Sequence, residues 1–382
     1  MASSTEQGSI FQPYVDAKNL QILIDKSRAR FNEPWYKSRF SFATTTMALT
    51  YTTILGKSRI DAAATIVSRD GRTPIKGRKN VGKLHGSIPV IKTMKKMDEE
   101  TYREFLIMQQ MSITSGTDRM IDVLDAIYND VSSVNNSVDK KIDMIVLEGL
   151  STGYVSITAD NNPGGIVQET LDLLLPETQR LGVTTSPDSA DFDFIQEVRN
   201  AKIRAKNLNK TLGKMLMSEY LFDKILLSKK VGDHLRGFFN PGSNARYTAT
   251  AESLNEFLRA NRLPLIETLD EVVHLTIDDV DHAFRPWKEE NIAFIPETGM
   301  LGEIKNAFAV EELRPTNMVM YSKIDKKLIS KWFQNEPFGE FTKAELNGFP
   351  SFDVMDSMFI METDTIEPFD PTVGKIQNGD VA

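Results

Sequence analysis

The chain has 382 residues, 41% of them hydrophobic and 26% charged, with no cysteine and a formal net charge of −8. Its length exceeds what one core usually supports, so two or more domains are expected in an ordinary globular composition. A disulfide framework, a thiolate metal site and a thiol nucleophile are excluded, and with no run of 18 apolar residues a membrane-spanning helix is not expected.

The charge is unevenly spread. Between Lys57 and Lys96 there are eleven basic residues and two acidic ones, a local net of +9, which leaves 34 basic and 51 acidic residues elsewhere, a net of −17. A positive segment on a negative body suits self-association at least as well as it suits nucleic acid.

Taken from the start, MASSTEQGSIFQPYVDA has neither the basic start nor the apolar stretch of a secretory signal. Residues 1 to about 40 read as an arm: a polar beginning, a short amphipathic helix around Ala17 to Arg30, then an extended piece ending at Phe40. The Thr-rich run over 42–55 and AAATIVS over 62–68 are β-compatible. From Arg69 to Gly86 there are four glycines and one proline among like charges, the pattern of a long exposed hairpin or loop.

Asp98 to Met111 is amphipathic, with Tyr102, Phe105, Leu106 and Met111 on one side, and Ser115–Gly116 interrupts it. The dominant element follows over Asp118 to Glu148. Its apolar residues Met120, Ile121, Leu124, Ile127, Tyr128, Val131, Val134, Val138, Ile142, Ile145 and Val146 recur at helical spacing. Such a helix spans roughly 45 Å, with Thr117 as expected N-cap and Gly149 as expected stop. Core packing is the ordinary explanation of that stripe, and no cofactor is implied.

After it, 150–158 reads as a turn into a strand and 161–165 as a turn. A helix is expected within 184–207, capped near Ser189 or Asp191, then a buried strand and short helix over 214–228. Residues 253–275 predict a helix followed by a strand from about Leu263, and NIAFIPETGMLGEI over 291–304 a strand ending in a Pro- and Gly-marked turn. Two more strands are expected over 317–323 and 356–369, ahead of a polar tail from Asp370.

Candidate chemistry is sparse. Gly77 to Leu84 comes within one residue of a phosphate-binding loop, but Leu84 replaces the magnesium-binding hydroxyl, and Gly86 and Pro89 oppose the helix that should follow. His274, Asp278, Asp279 and His282 carry enough ligand chemistry for a divalent metal, although their spacing does not converge them and surface residues explain them equally. No nucleophile elbow, zinc-protease pair or dinucleotide fingerprint occurs. The basic segment suits phosphate contacts but has no aromatic residue for stacking on bases.

The order of these pieces resembles the major capsid protein of tailed bacteriophages, the lambda-type coat protein family. The likeness rests on an arm, a long charged loop and a long helix running into Leu150 to Ile157, then Gly213 to Leu227, and Phe294 to Glu297 followed by Gly299 and Gly302. It implies an α+β fold with N-terminal arm (1–45), extended basic loop (46–96), peripheral domain with spine helix (97–185), axial domain (186–300) and a return to the peripheral domain with C-terminal strands (301–382).

The implied function is a non-enzymatic, cofactor-free shell subunit, located in the virion capsid and assembled in the host bacterial cytoplasm. The implied partners are further copies in hexamers and pentamers, with portal, scaffold and decoration proteins and DNA held without sequence-specific contact. Arg69, Arg72, Lys76, Arg78, Lys79 and Lys83 of the loop are the expected intersubunit contacts. A cytosolic nucleic-acid-binding protein or enzyme using the basic loop is the alternative.

Overall fold

The long helix forms over Asp118–Thr152, and from Val131 onward its expected stripe is buried: Val131, Val134, Val138, Ile142, Ile145 and Val146. Burial then spreads around the helix through Met144, Leu147 and Leu150. Gly149 is not its end. That residue is inside the last turns because the Phe352 ring packs where a Cβ would stand, 2.5 Å from it. The helix stops at Gly153 instead, whose φ of 77° needs no Cβ and whose N–H bonds the Gly149 carbonyl at 2.9 Å.

The computed structural model describes residues 34–55, 82–97, 99–104, 106–107, 118–158, 160–162, 169–242, 247–277, 280–336 and 338–375. The helix expected around Ala17 to Arg30, the strand over 62–68, the Ser115–Gly116 break and the Thr117 cap lie outside them. The chain divides into two units.

The first unit comprises Met1–Tyr51, Gly86–Asp143 and Glu303–Ser351. Its sheet has the order Phe40–Phe42, Gly302–Ala307, Phe338–Ser351, Lys327–Asn335, Met320–Ile324, with Val90–Met97 also paired to Phe338–Ser351. The fourteen-residue strand Phe338–Ser351 is the hub. It pairs antiparallel with Lys327–Asn335 through Phe338 to Glu345, with Val90–Met97 through Glu340 to Asn347, and with Gly302–Ala307 from Asn347 to Ser351. Neighbours on both sides leave it buried along nearly its whole length, charged residues included. Residues 99–104 and 106–107 are helical, as expected. Tyr102 stands against the hub hairpin, its ring 5.4 Å from Phe338 and 6.0 Å from Phe333.

The second unit comprises Thr52–His85, Met144–Gly302 and Phe352–Ala382. Its five-stranded sheet runs Arg180–Val183, Phe359–Ile366, Asn291–Ile295, Lys214–Ser218, Leu265–Leu269. The central strand Asn291–Ile295 is buried at every position and antiparallel to both neighbours. The outer pairs are parallel, so the chain must cross over between Ser218 and Leu265, and it does so through three helices, Glu219–Leu227, Lys229–Phe239 and Ala251–Ala260.

Phe194, Val198, Met215, Met217, Leu235, Leu254, Phe294 and Phe359 share one apolar core. Helix Phe194–Asn207 is capped by Asp193, which accepts from the Gln196 N–H at 3.1 Å, and not by Ser189 or Asp191, which lie in the preceding turns. Ser218 caps the next helix, and Thr250 with Ser253 forms a capping box.

Candidate functional site

Of the loop residues expected to make contacts, Arg69, Arg72, Lys76, Arg78 and Lys79 lie outside the described residues. Lys83 stands in strand Gly82–Ser87, which pairs with Thr50–Leu55 in a ladder of its own. The segment between these two strands, 56–81, lies outside the described residues. Lys83 is followed by strand and not by the helix that a phosphate-binding loop needs.

The end of the basic segment is sheet. In Val90–Met97, Lys92 lies opposite Glu345, Lys95 opposite Thr342 and Lys96 opposite Phe341. Lys92 pairs with Glu345 at 3.5 Å. Glu345 also receives Lys343 at 3.0 Å, and Lys343 reaches Glu311 at 2.6 Å. Burial acts to lower the Lys343 ammonium, but the bonds to Glu311 and Glu345 outweigh it and hold the group above the usual lysine value. Lys92 thus ties Val90–Met97 to the hub strand, and Lys343 ties the hub strand to Glu311.

The histidine pair does not converge. His274 and His282 belong to a hairpin of Val273–Ile277 and Val280–Phe284 in which His274 faces Ala283 and His282 faces Leu275, so the two imidazoles point to opposite faces and both are exposed. Asp278 and Asp279 lie outside the described residues. Among the described residues no group of three His, Asp or Glu side chains is placed to hold a metal, and no helix is long and apolar enough to cross a membrane. His234 meets Asp193 at 3.0 Å. This bond, with the Gln196 N–H, outweighs burial and holds the Asp193 carboxyl below its usual value, so the pair serves as a helix cap.

The most concentrated polar chemistry is in the first unit, where the arm meets the long helix. Asp143 accepts the N–H of Trp35 at 3.1 Å and of Tyr36 at 2.7 Å. Asp139 accepts the Tyr36 hydroxyl at 2.6 Å and the fully buried Lys327 ammonium at 2.6 Å, and Lys37 approaches it at 3.2 Å. Burial pushes Lys327 below the lysine range against the pull of Asp139. Burial, and then Asp139, push the Tyr36 phenol far above the tyrosine range. The periodicity of the helix did not reveal this cluster; its one trace in the sequence is two aspartates four apart, each beside a stripe residue, Val138 or Ile142.

A second feature is a helix turn of reversed polarity. In Val310–Leu313, Glu312 pairs with Lys323 at 2.5 Å and Glu311 with Lys343, while Val310 and Leu313 are 75% and 49% exposed.

No family model and no curated protein matches the sequence. Solved structures do resemble the chain. One is a protein described as the capsid protein of a prophage from E. coli CFT073, which is 10% identical, with 91% of this chain and 99% of that one aligned at a TM-score of 0.54. Another is a phage-related protein of Bordetella bronchiseptica RB50, 11% identical over 90% and 96% of the two chains, with a TM-score of 0.50. At such identities the likeness is one of fold.

Proposed function

We propose, from the tailed-phage major capsid fold that this chain has, that it is a structural subunit which assembles with further copies into a closed icosahedral shell around phage DNA. The observation that carries this reading is the match of fold over nine-tenths of this chain and nearly all of a prophage capsid protein. In this reading residues 1–45 are the arm, the extended loop projects from the ladder of Thr50–Leu55 and Gly82–Ser87, and the remainder forms peripheral and axial domains. Hexamers and pentamers are the assembly units, portal, scaffold and decoration proteins are further partners, and DNA is held without sequence-specific contact. The subunit needs no cofactor, has no turnover, assembles in the host bacterial cytoplasm and resides in the virion.

The loop residues Arg69, Arg72, Lys76, Arg78, Lys79 and Lys83 supply the positive side of contacts between copies. Attraction between a +9 segment and a −17 body is weak per contact and adds over many copies. Sedimentation velocity tests this: the wild-type chain should give particles of many copies, fewer as salt is raised. Replacing Arg72, Lys76, Arg78 and Lys79 together by glutamate should leave a folded 43.0 kDa chain that no longer assembles. Particles at unchanged yield from that variant would refute the electrostatic role of the loop, and a wild-type chain that stays single under all assembly conditions would refute the shell reading.

A further inference from the structure

The base of the arm is thinly attached for a piece of a core. Over residues 34–50 only Tyr36 and Phe40 are buried, and Met47 and Leu49 near the end of that stretch are 70% and 55% exposed. What holds the segment is polar. Its short helix Tyr36–Arg39 begins at Trp35, which offers no side-chain cap, and Asp143 supplies that cap from more than a hundred residues away by accepting two successive main-chain N–H groups. The Tyr36 hydroxyl and the Lys37 ammonium engage Asp139, and Lys37 also reaches Asp325 at 3.4 Å. Beyond them the chain adds main-chain bonds to the sheet edge, Ala43 N–H to Ile304 and Thr46 N–H to Asn306, each at 3.0 Å.

Part of what would remain without the arm is provided for, while Asp143, the Asn306 side chain and the Phe308 N–H would give up their bonds to it. Strand Gly302–Ala307 keeps its whole ladder to the hub strand. Asp139 keeps Lys327, which comes from the sheet and not from the arm, so the buried carboxylate stays paired whether the arm is seated or not. At Asp139, a carboxylate with one permanent and two removable partners suits a contact that opens and closes, because a buried charge with no partner is avoided there in both states.

We propose that Asp139 and Asp143 form a releasable latch, from which residues 34–46, the edge strand Phe40–Phe42 included, detach as one piece while the rest of the sheet and the helix Asp118–Thr152 stay folded. The latch seats residues 34–46 on the first unit, and its opening frees them without unfolding the rest of that unit. It is read from the single chain and does not rest on the shell proposal.

Hydrogen exchange of the full chain across a series of low denaturant concentrations tests it. Local opening does not depend on denaturant and global unfolding does. In the wild type, the amides of Tyr36, Ala43 and Thr46 should exchange by denaturant-independent opening, and those of Phe338–Ser351 only by global unfolding. Asp143→Asn weakens two charge-assisted bonds and should speed the three arm amides together by about tenfold or more, leaving the hub strand unchanged. Lys37→Gln leaves the Asp139–Lys327 pair intact and cannot unseat the core; it should speed the same three amides by a few-fold. Acceleration of the hub strand to the same degree in either variant, failure of Asp143→Asn to fold together with no effect of Lys37→Gln, or arm amides that follow global unfolding in the wild type would each overturn the proposal.

Discussion

Strands Asn291–Ile295 and Phe338–Ser351 are both central in their sheets, and they are made of different material. The first buries Ile292, Ala293, Phe294 and Ile295 in an apolar core. The second buries Glu340, Thr342, Glu345 and Asn347 along with Phe341, Leu346 and Phe349, and its unit also buries Asp139, Asp143, Lys327 and Lys331. Removing apolar surface from water stabilises in proportion to area, whatever the direction of the contact. A buried charge contributes only while its partner is in place, so the first unit depends on individual side chains more sharply than the second.

The largest effect expected from this difference is at Asp139. Asp139→Ala strands the buried Lys327 ammonium and should destabilise the first unit by about 3–5 kcal/mol, whereas Asp139→Leu combined with Lys327→Met should recover most of that loss. Denaturant unfolding with Trp332 as reporter for the first unit and Trp287 for the second would measure both. A double variant as unstable as the single would mean that packing, not charge, governs this unit.

In the second unit the counterpart is Phe294→Ala, which leaves a cavity where 0% of the side chain is exposed. It should cost about 3–5 kcal/mol and no second substitution of a charge should rescue it. The Trp287 reporter would move and the Trp332 reporter much less.

A smaller effect separates the units by pH. The folded chain holds the Tyr36 proton beyond the ordinary tyrosine value of 10.0, where the unfolded chain gives it up. The contribution of Tyr36 is therefore complete below that value and is lost as pH rises above it. Lys327 acts in the opposite sense: its folded value is lowered, so its cost declines as pH climbs towards the ordinary 10.5. Tyr36→Phe removes only the first dependence. The stability difference between wild type and Tyr36→Phe should then shrink with pH above about 10, while the Asn291–Ile295 sheet follows the same curve in both proteins.

The smallest expected change is Ser218→Ala in the second unit, which removes the hydroxyl that accepts the Leu221 N–H at 3.1 Å and should cost about 1 kcal/mol by the same unfolding measurement.

The same contrast explains what could be read from the sequence. NIAFI announces a buried strand by its apolar run, and of the helices around it the one whose cap the sequence places, Phe194–Asn207, is capped at Asp193, two residues beyond Asp191 and four beyond Ser189. FGEFTKAELNGFPS does not, since its glycines, proline and charges read as surface until the strands on both sides are known to bury them. Lys327–Asn335 and Val90–Met97 share that ambiguity, because each becomes a strand only by pairing with the hub, and the lysines of Val90–Met97 continue the composition of the basic loop. The long helix is plain from its stripe, whose apolar period carries no sign that Asp139 and Asp143 are buried beside it. Gly149 looked like its terminus because a glycine required by the close approach of Phe352 cannot be told in sequence from one required by positive φ.

Negative-stain electron microscopy of the purified full chain, expressed alone and together with candidate scaffold or portal partners, addresses the shell most directly. Closed shells of uniform diameter, or tubes and rings made of the same capsomers, are the expected result. Dispersed single chains in every preparation, with the chain folded by circular dichroism, would contradict a capsid role.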